Sequence, residues 1–286
     1  MDMNELKNKI DNIVNEHNKV GIPDFEGYSP EDIHNTLYFT FDEKSPVQLQ
    51  RLSDSDCHRI PILMQIKYLA DLIAEQGEIK LTKKGFLPVK FVKDIYGQGF
   101  LKERIIDSGI VKLNKEADSI TVNLTRILAE ISGIVKKRNN KLSLTKSGEK
   151  IISDKNKLLE LIFKTFTLKF NWAYYDGYND NSIAQFGFGF SLILLSKYGS
   201  EKRPGSFYAE KYFKAFPQLL NSLESPYESV EKTAEQCYLL RTFERFLCYF
   251  GLTSIEKENN FENRTIYITK TDLFDKFIKC IPGKNK

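Results

Sequence analysis

Histidine is scarce in this chain: His17, His34 and His58 are the three among 286 residues. No two of them stand three or four positions apart, so the paired-imidazole spacing of a helical zinc site is missing. Cys57-His58 beside Asp56 is the nearest thing to a metal pattern, and it is a weak one. Cysteine is little used too. Cys57, Cys237, Cys248 and Cys280 show no C-x-x-C spacing, which fits reduced thiols of a cytoplasmic protein rather than a disulfide framework. Long apolar runs are absent. The longest, Ile183–Leu195, is too short for a bilayer and is interrupted by Gln185 and two glycines, so no membrane partner is expected. The opening Met1-Asp2-Met3-Asn4-Glu5 is polar and acidic, unlike a secretory leader. Also missing are a Walker loop, a G-x-G-x-x-G before a helix, H-E-x-x-H and G-x-S-x-G. The expectation is a protein that is not an enzyme, with no cofactor and no metal.

What is present is a globular composition. Hydrophobic residues make up 41% and aromatics 13%, in a chain long enough for two domains. The net charge of +4 argues for no partner, but its distribution does. Residues 1–58 carry −7, residues 59–153 carry +8 and residues 154–286 carry +3. An acidic arm therefore precedes a basic module, and basic modules attract phosphate backbones. These boundaries define three expected parts: arm 1–58, first module 59–153 and second module 154–286.

In the arm, Leu6, Ile10, Ile13 and Val14 mark one face of a short amphipathic helix, which Gly21-Ile-Pro-Asp breaks. Ser29, Pro30 and Asp32 form an N-terminal capping box for a second helix, with Ile33, Leu37 and Tyr38 on its buried side. His34 reads as a surface or hydrogen-bonded structural histidine.

The first module follows the order helix, short strand, helix, helix, strand, wing, strand, with a segment between Ser108 and Thr121 longer than the minimum. Pro61–Ala74 has helical apolar spacing, Ile79–Thr82 suits a short strand, and Val89–Tyr96 and Leu101–Ser108 suit helices. A helix over Thr121–Ser132 stops at Gly133. Two strands joined at Asn139-Asn140 follow, and Leu142 and Leu144 alternate with Lys141, Ser143 and Thr145. This is the layout of a winged helix. The wing carries Lys136, Lys137, Arg138, Lys141 and Lys146, and the turn before the second helix adds Lys83 and Lys84. Cations on a hairpin that can lie along a groove suit phosphate contact. The helix before the wing is nearly uncharged, leaving Asn123 and Arg126 as its candidate base readers.

The second module repeats the pattern. Gly251 corresponds to Gly133 and Thr269 to Thr145, giving a wing six residues longer with a tip, Glu256–Glu262, that is acidic on balance. Phe163–Phe216 holds 16 of the 36 aromatic residues. Gly187-Phe-Gly-Phe resembles part of an RNA-stacking signature, but Phe186 stands where a cation belongs and Ser191 where an apolar residue belongs. Ala184, Phe188, Leu192 and Leu195 fit a buried helix face instead. Tyr174-Tyr-Asp-Gly-Tyr178 reads as a turn with exposed tyrosines. Tyr208, Tyr212, Phe213 and Phe216 mark a further helix, and Val230–Phe250 a long one with an Arg241–Glu244 surface pair.

Four stretches resemble a bacterial family with tandem winged-helix-like repeats: Tyr28-Ser-Pro-Glu-Asp-Ile-His-Asn-Thr-Leu-Tyr38, Leu81-Thr-Lys-Lys-Gly-Phe-Leu-Pro88, Leu142-Ser-Leu-Thr-Lys-Ser-Gly148 and Thr271-Asp-Leu-Phe-Asp275. The winged-helix-like region is also similar to segments accompanying plasmid pRiA4b ORF-3-like and SEC-C-containing proteins. The resemblance covers most of the chain and implies the fold but no activity. The SEC-C metal motif is missing here, because no C-x-C precedes a Cys-His pair.

The expected fold is thus mainly α, an α+β chain with small β-hairpins in tandem winged-helix-like modules. Two functions compete: DNA binding through the first wing, and an adaptor that docks a protein partner through the acidic arm or the Tyr-rich loop.

Overall fold

The computed structural model describes residues 3–180, 182–225, 228–259 and 264–283. It is mainly helical with three small antiparallel sheets. In chain order the elements are α1 (Met3–His17), α2 (Pro30–Tyr38), β1 (Val47–Leu49), α3 (Asp54–Cys57), α4 (Pro61–Gln76), β2 (Ile79–Lys80), α5 (Val89–Gly97), α6 (Arg104–Asp107) and α7 (Ile120–Ile131). There follow β3 (Val135–Arg138), β4 (Lys141–Leu144), α8 (Lys146–Ile151), α9 (Lys155–Leu168), α10 (Phe188–Tyr198), β5 (Arg203–Pro204), α11 (Gly205–Ala215) and α12 (Val230–Tyr238). Wider π turns over Leu239–Leu247 continue α12, and β6 (Thr253–Asn259), β7 (Arg264–Lys270), α13 (Asp272–Phe277) and β8 (Ile278–Cys280) complete the chain.

The chain divides into two compact units, and the division departs from the expected boundaries at 58 and 153. One unit comprises residues 1–50, 178–245 and 252–286; the other comprises 51–177 and 246–251. The physical reasons lie within each unit. In the first, β1 pairs with β8 through Val47↔Cys280, Gln48↔Lys279 and Leu49↔Ile278, so the arm joins the C-terminal strand. The arm's acids are also engaged there: Glu26 binds Lys197 and Lys211, and Asp24 meets Lys214. In the second unit, Phe246 and Phe250 pack against Phe163, Phe166 and Trp172, which draws a late segment into a core built from α9.

Local chemistry explains most elements. Ser29 caps α2 and Asp32 returns the bond, so both halves of the expected capping box form. Ile33 is buried on that helix, but Tyr38 is 64% exposed; Thr36 and Thr40 occupy the inner face instead. They lie against Gly189 of α10, where a Cβ would come within 3 Å of both side chains. Every residue from Phe188 to Leu195 is buried, so the Phe-rich stretch is a core helix and not a stacking platform. Arg241, expected on the surface, is buried: it donates to the Ile183 carbonyl at 3.1 Å and faces the Tyr178 ring, while Glu244 pairs with Lys257.

The two larger sheets share one order, a two-residue strand beside the second strand of a hairpin: β2-β4-β3 and β5-β7-β6. Each hairpin follows a helical segment that stops at a left-handed glycine, Gly133 (φ 75°) or Gly251 (φ 67°). The register shifts the expected correspondence. Thr145 N bonds Ile134 O, and Thr271 N bonds Leu252 O. Thr145 therefore matches Thr271, not Thr269, and the second hairpin is eight residues longer rather than six. Residues 260–262 of its expected acidic tip lie outside the described residues.

Candidate nucleic-acid interface

The hairpin β3–β4 is built from a turn that needs two left-handed residues. Asn139 (φ 50°) and Asn140 (φ 56°) supply them, since asparagine tolerates that region better than other side chains with a Cβ. Val135, Leu142 and Leu144 are buried beneath the hairpin, while Lys136, Lys137, Arg138 and Lys141 are exposed. Arg138 stands opposite Lys141 in the register, which places two cations beside the tip.

A second turn is fastened to this one. Thr82 N bonds Phe86 O at 2.8 Å, and Gly85 N bonds Thr82 O at 2.8 Å. The Asn140 side-chain amide donates to Leu81 O and Thr82 O, both at 3.0 Å, and Lys137 Nζ donates to Gly85 O at 3.3 Å. These bonds bring Lys83 and Lys84, both exposed, alongside the hairpin cations. Six of the eight expected site residues therefore lie on the hairpin and the turn fastened to it, with Lys137 on the same face of β3 as Val135, and Lys136 and Arg138 on the other. Lys141 is partly offset by its ion pair with Glu78. Lysines on the open edge strand β3 also deter pairing with other strands, so part of this charge has a structural use.

Asn123 and Arg126 lie elsewhere. Each is only 8% exposed, and both bind the fully buried Glu116. Glu116 Oε1 accepts from Asn123 Nδ2 at 2.5 Å and from Arg126 Nε at 2.7 Å; Oε2 accepts from Leu87 N at 2.6 Å. Arg126 also pairs with Glu130, and Tyr175 OH donates to Asn123 Oδ1 at 2.5 Å. Burial alone would lower the pKa of Arg126. The charge and hydrogen bonds of Glu116, with Glu130, outweigh it and hold the pKa above its ordinary value. As base readers these two residues are out of place: both are buried, and Glu116, Glu130 and Tyr175 engage Asn123 Nδ2 and Oδ1 and Arg126 Nε and Nη1.

The sequence reading passed over Glu116, and also Glu103. Glu103 accepts from Ile120 N, Thr121 N, Ser119 Oγ and Thr121 Oγ1 at 2.5–3.1 Å, closing the start of α7. One signal was available for Glu116. Asn123, Arg126 and Glu130 recur at helical spacing on one stripe, a pattern that asks for a polar partner if that stripe faces inward.

The remaining candidates take structural places. Cys57 is buried, and His58 Nδ1 lies 2.7 Å from Asp54 O. Among the described residues no three His, Cys, Asp or Glu side chains are grouped to hold a metal. His34 is exposed, with its ring 4.9 Å from that of Tyr38. Tyr174 is exposed, whereas Tyr175 is tied to Asn123. No helix among the described residues is long and apolar enough to cross a membrane.

Residues 58–157 match the family model of the Y4jL N-terminal domain. No curated protein and no solved structure matches the chain. The matched stretch contains all eight expected site residues together with Glu103 and Glu116.

Proposed function

We propose that the protein is a cytoplasmic, non-enzymatic winged-helix protein that binds duplex DNA through its first wing. The observation that carries this is the joining of Lys83 and Lys84 to Lys136, Lys137, Arg138 and Lys141 by bonds between the two turns. The element order from α4 to β4 and the sheet order β2-β4-β3 support the winged-helix reading. The shared sheet order of the second hairpin supports a tandem arrangement. The tip of that hairpin, Glu256–Glu262, is acidic on balance, so the second hairpin is given no part in DNA contact.

Neutralising six phosphates should make binding fall about a thousandfold between 50 and 200 mM salt. The check is fluorescence anisotropy of the full chain with a labelled duplex. The K137E/R138E variant should bind weaker by at least about tenfold and flatten the log–log salt slope by about two units. No salt-sensitive binding at 50 mM would sink the reading.

A second reading, an adaptor for a protein partner, is favoured by α1. Its Leu6, Ile13 and Val14 are exposed, and Tyr174 is exposed in the Tyr-rich turn. That reading expects a protein to co-purify after nuclease treatment and to be lost from the L6E/I13E variant.

A further inference from the structure

In a winged helix the helix before the wing normally lies in the major groove and reads base edges. Here that helix is α7, and it is enclosed. It packs against α4, α5 and α9, and every residue from Thr121 to Arg126 is buried. Gln65 of α4 donates to Thr121 O and Thr125 Oγ1, so the helix is polar-bonded on that side as well. On another side Asn123 is held by Glu116 and Tyr175. The amide groups at its start, which could otherwise face a phosphate, are taken by Glu103. Of its polar side chains, Glu130 is the one more than a tenth exposed, and a carboxylate repels a phosphate backbone.

We infer that the site grips duplex DNA by its phosphates alone, with no base reading by α7, so that it accepts any sequence. This rests on the DNA-binding reading above. The cations that reach outward are on the hairpin and on the Thr82–Phe86 turn; lysine and arginine there can follow a backbone without entering a groove. Asn123 and Arg126 act as positioning residues instead. Through Glu116 they anchor Leu87, the residue that follows the Thr82–Phe86 turn, while Asn140 and Lys137 anchor its other side. The turn is thus held from both ends, and its two lysines are set next to the wing. The substrate class is duplex phosphate backbone, read by charge spacing.

The test is selection of bound duplexes from a random-sequence pool by the full chain at low salt, followed by affinities for AT-rich and GC-rich duplexes. The expected result is a bound pool with the composition of the input, and affinities that agree within about threefold. A sequence reader would instead lose about five- to 150-fold for each wrong base pair. K137E/R138E should weaken all duplexes by the same factor. A recurring base motif in the bound pool overturns the inference while leaving DNA binding intact. Absence of any salt-sensitive binding overturns both.

Discussion

Glu116 is the residue on which the first hairpin's surroundings depend. A carboxylate this buried is stable only because Arg126, Asn123 and the Leu87 amide all meet it. Breaking such a pair leaves the guanidinium buried without its main counter-charge, which costs about 3–5 kcal/mol. Glu116→Ala should therefore lower the urea midpoint strongly. Trp172, the sole tryptophan, is buried in the same unit and donates to Phe166 O, so its emission follows that transition. An unchanged midpoint would show that water relieves Arg126. Asn123 and Arg126 were legible as a polar pair on α7 but not as an interior one. Arginine and asparagine are exposed by default, and the default fails only when a partner arrives from outside the helix. Glu116 precedes the helix in a separate short turn, Glu116–Asp118, so helical periodicity could not assign it to the same stripe.

At the level of elements, the Leu-Thr-Lys-Ser-Gly stretch joins the hairpin to α8 by two devices. Thr145 Oγ1 accepts from Gly148 N at 2.8 Å and donates to Gly133 O at 2.6 Å, tying the end of β4 to the end of α7. Gly148 sits so close to the chain that a Cβ would lie 2.0 Å from Ile134 O. Thr145→Ala should cost about 1–2 kcal/mol, the worth of a lost helix cap. Gly148→Ala should cost more, because the obstructing atom belongs to backbone that is itself bonded to Thr145 N. Urea denaturation of the two variants orders them; equal losses would mean that Ile134 moves aside. The hairpin, its Asn-Asn tip and its inward leucines were readable because each depends on local chemistry: a left-handed turn, a two-residue alternation, a terminal glycine. The second hairpin's register was not. Thr269 and Thr271 both precede acceptable helix starts, and the choice is made by the bond from Thr271 N to Leu252 O, across residues far apart in the chain.

Across the whole molecule, the composition shift at residue 58 falls eight residues after the chain passes from one compact unit to the other at Gln50–Arg51. Two cationic partners of Glu26 in the −7 arm, Lys197 and Lys211, lie more than 170 positions later, so neighbouring sequence could not announce them. Glu26 is where this can be measured. Its side chain is 8% exposed, and it accepts from Lys197 Nζ at 2.7 Å, Lys211 Nζ at 2.6 Å and Tyr198 OH. Burial alone would raise its pKa, but hydrogen bonds from Lys197, Lys211 and Tyr198 together hold it below the ordinary 4.5. A depressed carboxylate contributes stability that is complete above pH 4.5 and is lost as pH falls through the lower, folded value. For Lys197 and Lys211, burial works in the opposite direction, yet the bonds to Glu26 leave both above the ordinary 10.5. Their contribution is complete below pH 10.5 and is lost as pH rises through the folded values. Amide hydrogen exchange in α2, α10 and α11 reports on this unit. Relative to the intact protein, Glu26→Gln should exchange faster in these helices at pH 7, and the difference should narrow as the pH falls below 4.5. A difference that stays constant through the acid range would show that Glu26 holds the arm by packing rather than by charge, and the cluster would then be incidental to how the arm joins its unit.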